Sequence, residues 1–339
     1  MLVTSYAAPS AGARLEPCER DSGALGALEA DVRVTHCGVC HSDVGQIDNE
    51  YGITRFPCVA GHEAVGVVEA VGDAVDTELL PIGTRVGVGA IAGACFRCPL
   101  CLSGRHNLCP RRDDTVMRGD RGAFTELLRV SDWRTAYPIP DAIPSEQAAP
   151  MMCAGVTVFA PLIRHGVRPV DRAAVVGIGG LGHLALQFLS RWGCDVTAIS
   201  TSRSKEDDAR RFGATSFLAT GEEGALADAA GSFDFILSTV SANLPWDDYL
   251  DLLVPQGRLS VVGVPPEAIT VQPMHLLPAE KMISGGVPAS PTETRLMLDF
   301  AARHGIGPQV ETFPVAEINA AVDLVRSGRA RYRAVLAMS

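Results

Sequence analysis

The sequence predicts an α/β protein of two domains, one β-rich and one a doubly wound parallel sheet. Three observations carry this expectation. At 339 residues the chain is longer than one ordinary core absorbs. Up to about residue 150 it is rich in Val and Gly, in short apolar runs that turn residues interrupt. From about residue 155 strand and helix patterns alternate, which implies parallel strands with helices on both faces.

In chain order, the runs 65–71 and 85–88 read as strands of the first domain. Residues 173–178 form a short apolar strand that glycines follow at once. Leu181, Leu184, Ala185, Phe188 and Leu189 then recur at helical spacing. Asp195–Ser200 is a second strand, and 205–212 a helix that Gly213 ends. Strands are expected over 233–239 and 258–264, with a helix over 245–254 between them and another late strand over 281–287. Ser290-Pro291-Thr292-Glu293 is a capping box with proline at the first helical position, so a helix runs from there to Gly305. A further helix over 315–327 and a strand over 332–337 close the chain. The tail is expected to return to the first domain, giving boundaries of 1–152, 153–286 and 287–339.

Composition narrows the partners. A net charge of −10 argues against nucleic acid. No basic start with an apolar run marks a signal peptide, and no stretch of about 18 apolar residues marks a membrane span. Ten cysteines without such a signal point to a reducing cytoplasm and to metal ligands instead of disulfides.

Cys95, Cys98, Cys101 and Cys109 follow one another at spacings of two, two and seven residues. Four thiolates in one short lobe, about 93–111, suit a tetrahedral structural Zn²⁺ with no position open to substrate. Gly93, Pro99, Gly104 and Pro110 keep the lobe from being a regular helix or strand, and a metal explains how it is ordered.

Gly177-Ile178-Gly179-Gly180-Leu181-Gly182 follows an apolar strand and opens an amphipathic helix, the context of a dinucleotide-binding turn. Gly177 permits the turn, Gly179 lets pyrophosphate approach, and Gly182 lets helix and strand pack closely. An NAD site wants a carboxylate at the end of the second strand. This chain has Ser200, Thr201, Ser202, Arg203, Ser204 and Lys205 there, hydroxyls and cations that suit the 2′-phosphate of NADP(H). The plainer reading of the same residues is an exposed polar turn.

Cys40, His62 and Cys153 remain as candidate ligands, and spacing alone does not join them. However, Cys40-His41-Ser42-Asp43, Gly61-His62-Glu63, the four-cysteine lobe and the glycine motif occur in an order that resembles the zinc-dependent medium-chain alcohol dehydrogenases. Residues 153–157, 177–183 and 199–205 and Arg331-Tyr332-Arg333 are most similar to the cinnamyl alcohol dehydrogenase branch. The resemblance implies a GroES-like catalytic domain and a Rossmann domain, two zinc ions per chain, and hydride transfer between NADP(H) and an aldehyde/alcohol pair. It makes Cys40, His62 and Cys153 the ligands of a catalytic zinc, Glu63 a carboxylate able to approach it, and Asp43 the acid that orients the histidine. Ser42 becomes the hydroxyl that passes the proton, with His41 as a further relay candidate, and Thr157 and Thr239 join the cofactor-binding set. Relatives in the branch pair late strands across a two-fold axis, which implies a homodimer.

Two departures stand out. Family members carry a relay histidine three residues beyond the relay hydroxyl, and here that position is Gly45. A positive φ would be one reason for the glycine. The stretch 110–122 carries Arg111, Arg112, Asp113 and Asp114 where aromatic substrates want apolar walls. Reduction of an imine or a conjugated C=C bond is therefore the alternative on the same scaffold, and a non-catalytic cofactor-binding role the alternative of another class. His183 is expected on the cofactor side of its helix or in solvent.

Overall fold

The structure is a computed structural model that describes residues 2–115, 121–286 and 288–338, so residues 116–120 of the charged stretch and Val287 lie outside it. Two compact units emerge, Met1–Val156 with Pro288–Ser339, and Thr157–Val287. Residues 153–156 therefore belong with the first unit, and the division falls inside a continuous helical run rather than before Cys153.

The first unit is built on a seven-stranded sheet. Its order is Val310–Pro314, Arg333–Ala337, Ala30–Val39, Ala64–Val71, Arg85–Val88 and Tyr137–Pro138, with Leu127–Val130 also pairing Ala30–Val39. Only the pair Val310–Pro314 and Arg333–Ala337 is parallel. Val32, Val34, Val68, Val86, Val88, Leu128 and Leu336 fill the core beneath it. The register of Ala30–Val39 shifts between Val34 and His36, so the strand is bent just before it delivers Cys40.

The second unit holds a six-stranded, wholly parallel sheet. Its strands in space are Ser216–Ala219, Asp195–Ser200, Arg172–Val176, Phe233–Ser238, Leu253–Val261 and Met282–Gly285. That is the doubly wound order, with its switch point between Arg172–Val176 and Phe233–Ser238. The helix expected over 245–254 is shorter, Trp246–Asp251, because Leu253 is already paired with Phe233 in the sheet.

Ser145–Arg164 is a helical run of 20 residues, long and apolar enough to cross a membrane, but most of it is buried inside the protein as a core helix is. Its middle turn, Met151–Gly155, is π-helical.

Arg333–Ala337 is an interior strand, bonded to Val310–Pro314 on one side and to Ala30–Val39 on the other. Ending the chain at Gly328 is expected to unfold the first unit, since an interior strand and the buried side chains of Ala334, Val335 and Leu336 are lost together. Limited proteolysis is expected to degrade residues 1–156 and to leave a resistant fragment near 157–287.

Candidate functional site

Cys40 caps the helix His41–Ile47, and the turn that follows is folded around Asp43. This carboxylate is fully buried. Its Oδ2 accepts from the Cys40 amide at 2.9 Å, and its Oδ1 accepts from the Gly61 amide at 2.9 Å and from His62 Nδ1 at 2.7 Å. With Nδ1 committed to Asp43, His62 turns Nε2 toward the Cys40 thiol. Gly61 has φ +100°, and a Cβ there would meet the Phe124 amide nitrogen at 2.7 Å, so only glycine lets the chain turn His62 inward at this point.

Cys153 reaches the same place from the π-helical turn Met151–Gly155. One donor atom each from Cys40, His62, Glu63 and Cys153 all lie within 4.8 Å of one another. The Cys40 thiol is held well below the ordinary thiol range, chiefly by a hydrogen bond from Cys153, whose own proton is held well above it. Burial opposes a proton on His62, but the Asp43 charge and its hydrogen bond outweigh that and raise the ring well above its usual value. A divalent ion held by these donors would take the place of the shared protons. Two sulfurs and one imidazole with a nearby carboxylate form the donor set of an open zinc site.

Glu63 is fully buried and paired with Arg333, itself buried, on the last strand. Burial pushes its carboxyl up to about 7 although Arg333 opposes the shift. Among the described residues, Glu63 Oε2 has no hydrogen-bond partner. One oxygen is thus tied to Arg333 and the other is left for the ligand cluster. Sequence reasoning missed Arg333 as a partner, although Arg331-Tyr332-Arg333 carried part of the resemblance. Ser42 is half-buried beside this centre, whereas His41 is exposed.

The cysteine lobe is closed at its neck by pairing of Ile91–Gly93 with Asp113–Asp114. Cys95 and Cys101 sulfurs lie 3.9 Å apart, as do those of Cys98 and Cys109. A tetrahedron of thiolates at about 2.3 Å from zinc has edges of about 3.8 Å, so the residues present fit the ion. The Cys98 sulfur also accepts from the Cys101 amide, capping the one-turn helix Pro99–Leu102, and Cys109 accepts from the Arg111 amide. The lobe thus holds one turn of helix that its prolines and glycines argued against. Arg112 pairs with Asp114 and Arg121 with Asp113, so the charges of this stretch are largely spent on one another.

In the second unit Gly177 takes φ +88°, and a Cβ on Gly182 would lie 1.8 Å from the Gly177 carbonyl. A Cβ on Gly179 would meet nothing within 4 Å, which leaves open space over the turn for a ligand. The carbonyls from Val176 to Gly179 are held by the protein. Thr239 Oγ1 donates to Val176 at 2.9 Å and Gly177 at 3.2 Å, Lys205 Nζ donates to Ile178 at 2.8 Å, and His183 Nδ1 donates to Gly179 at 3.0 Å. His183 is therefore neither solvent-facing nor open, because it is fully buried and bonded back to the turn. Thr201 and Ser202 are exposed, and Ser200 and Lys205 half-buried, at the end of the second strand. Arg203 is clamped by Glu222 at 2.6 Å and by Glu206 at 2.9 Å. Carboxylates thus do stand near this cluster, Glu206 from the next position in sequence and Glu222 brought there by folding. Thr157 lies half-buried in the helix Val156–Arg164.

Residues 26–141 match the alcohol dehydrogenase GroES-like domain family, and residues 180–303 match the zinc-binding dehydrogenase family. The chain is 42% identical to an aldehyde reductase, AdhA, of Synechocystis over 100% of its own length and 99% of that protein's. It is 37% identical to cinnamyl alcohol dehydrogenase 2 of Rauvolfia serpentina over 98% of the chain and 93% of the relative. Among solved structures it is similar to a cinnamyl alcohol dehydrogenase of Sorghum bicolor, with TM-score 0.94, 33% identity and coverage of 99% and 98%. It is also similar to the NADP(H) complex of such an enzyme from Helicobacter pylori, with TM-score 0.89, 26% identity and coverage of 100% and 98%.

The two metal centres are expected to separate on mutation. Cys101→Ser should lose one zinc per chain and lower the thermal midpoint sharply, since a structural zinc contributes on the order of 10 kcal/mol in small domains. His62→Ala should instead abolish turnover and keep the zinc of the lobe. Elemental analysis with calorimetry checks both, against two zinc ions in the unmodified chain.

Proposed function

The chain belongs to the zinc-binding alcohol dehydrogenase family, and on that premise we propose that it interconverts aldehydes and alcohols with NADP(H). The observation that carries the reading is the cluster of Cys40, His62, Cys153 and Glu63 donor atoms, with Asp43 bonded to both the Cys40 amide and His62. Zinc held there supplies a Lewis acid for a carbonyl oxygen, and the nicotinamide supplies the hydride. The protein does the rest. Asp43 fixes the ring of His62 so that Nε2 faces the site. Cys40 and Cys153 bring two sulfurs, enough negative charge to leave an ion only weakly acidic toward an alkoxide. Arg333 holds one oxygen of Glu63, so the carboxylate approaches the site through the other. Ser42 carries the proton that the oxygen gains or loses.

In the second unit, occupied carbonyls at Val176, Ile178 and Gly179 remove the negative dipoles that would repel a pyrophosphate at the glycine turn. For the 2′-phosphate, the support is Ser200, Thr201, Ser202 and Lys205 and the absence of a carboxylate within 199–205. A phosphate arriving there competes with Glu222 for Arg203. The name of the Synechocystis relative supports aldehydes as substrates, and the Helicobacter complex supports NADP(H).

The strand Met282–Gly285 ends the parallel sheet, and Met282 is exposed on it. We infer that this edge is covered by its own copy in an isologous homodimer. Light scattering is expected to give a mass near twice 35.7 kDa, and a monomer across the micromolar range would overturn the dimer. A cytoplasmic setting goes with the six thiols proposed as zinc ligands, which a reducing compartment keeps from forming disulfides.

A panel of aldehydes, ketones and cyclic imines followed by NADPH absorbance tests the activity, and turnover confined to imines would overturn it. In the same assay NADPH is expected to exceed NADH in kcat/KM by about 10- to 100-fold, the size of one or two hydrogen bonds to a charged group. Thr201→Asp with Lys205→Met is expected to erase that preference.

A further inference from the structure

Gly45 lies in the helix His41–Ile47 without a positive φ, so the backbone does not demand glycine there. What demands it is the space above. A Cβ on Gly45 would lie 3.0 Å from the Tyr51 hydroxyl, 3.0 Å from Tyr51 Cε2 and 3.0 Å from Glu50 Oε2. The volume that a side chain at 45 would enter is filled by the phenol of Tyr51 and the carboxylate of Glu50.

The Tyr51 hydroxyl is hydrogen-bonded to Ser42. Burial, the largest influence on it, raises its pKa from the ordinary phenol value, so it rests protonated as a donor. Ser42 is half-buried, Tyr51 is 38% exposed and Glu50 is exposed. The three side chains therefore run from the metal-ligand turn to solvent within one short stretch of chain.

We propose that Tyr51 is the proton relay of this enzyme, standing where Gly45 leaves no imidazole and joining Ser42 to water beside Glu50. The inference rests on the proposed aldehyde–alcohol chemistry. In reduction, hydride from NADPH forms the new C–H bond while the carbonyl π bond breaks toward oxygen. Ser42 gives its proton to that oxygen, Ser42 Oγ takes the phenol proton of Tyr51, and a solvent proton arriving past Glu50 restores Tyr51. One NADPH is oxidised, one aldehyde is reduced, and one proton is drawn from water. Oxidation runs the same path outward. Tyr51 acts through Ser42 and is a positioning and relay group, not one that touches the reacting carbon.

The test is single-turnover oxidation of NADPH by an aldehyde in H₂O and D₂O, with zinc content measured alongside. Tyr51→Phe keeps the ring and removes the hydroxyl. It is expected to slow the step about tenfold or more and to raise the solvent isotope effect, with both zinc ions and NADPH affinity kept. Tyr51→Phe with Gly45→His puts an imidazole into the cleared space and is expected to recover part of the rate and lower the isotope effect again. An unchanged rate and isotope effect in Tyr51→Phe overturns the relay. So does a slower rate with an unchanged isotope effect, or loss of zinc, since either makes the tyrosine a wall or a structural support. Absence of aldehyde reduction by the unmodified protein is a different failure, which removes the proposed function and the relay with it.

Discussion

Asp43 sits fully buried and accepts hydrogen bonds from the Cys40 amide, the Gly61 amide and the His62 ring, which belong to two segments of the chain. A carboxylate taken out of water costs several kcal/mol unless its oxygens are satisfied. Here satisfying them and placing two candidate metal ligands are the same act. The turn at 40–43 and the turn at 61–62 are each irregular and weak alone, and the acid makes each the partner of the other. Glu63 follows directly, so its pairing with Arg333 inherits its position from the same interaction.

Features set by short spacing were legible in the sequence. The four cysteines of the lobe, the glycine turn with its strand and helix, and the capping box at Ser290 all sit where local chemistry places them. The long-range partnerships were not legible. Arg333 and Glu63 are 270 residues apart, and Glu222 lies 19 residues beyond the Arg203 it clamps. Nothing at either position announces the other. His183 was misread because periodicity gives the face of a helix but not whether the ring bonds back to the preceding turn. Gly45 was legible as a departure but not as a fit, since the phenol that needs the space comes from beyond the end of its helix.

The glycine turn and the ligand turn solve one problem in opposite ways. At the dinucleotide turn the protein spends side chains from several elements, Thr239, Lys205 and His183, to occupy carbonyls. At the ligand turn one side chain, Asp43, collects amides. The first arrangement lowers negative potential at the proposed anion site, and the second anchors donors at the proposed cation site. Both replace backbone flexibility with fixed dipoles before any ligand arrives.

The first unit is interrupted in sequence, since the parallel sheet between 157 and 287 separates its body from the strand Arg333–Ala337. Domains generally fold as they leave the ribosome, N-terminal parts first. In this chain the parallel-sheet unit is contiguous and complete well before synthesis ends. The body that carries all seven cysteine and histidine side chains proposed as metal ligands must wait, with an open sheet edge, for its last interior strand. Those thiols emerge early and are exposed longest. Translation order thus sets a window in which nascent chains meet metal, oxidant or chaperone before the ligand sites close.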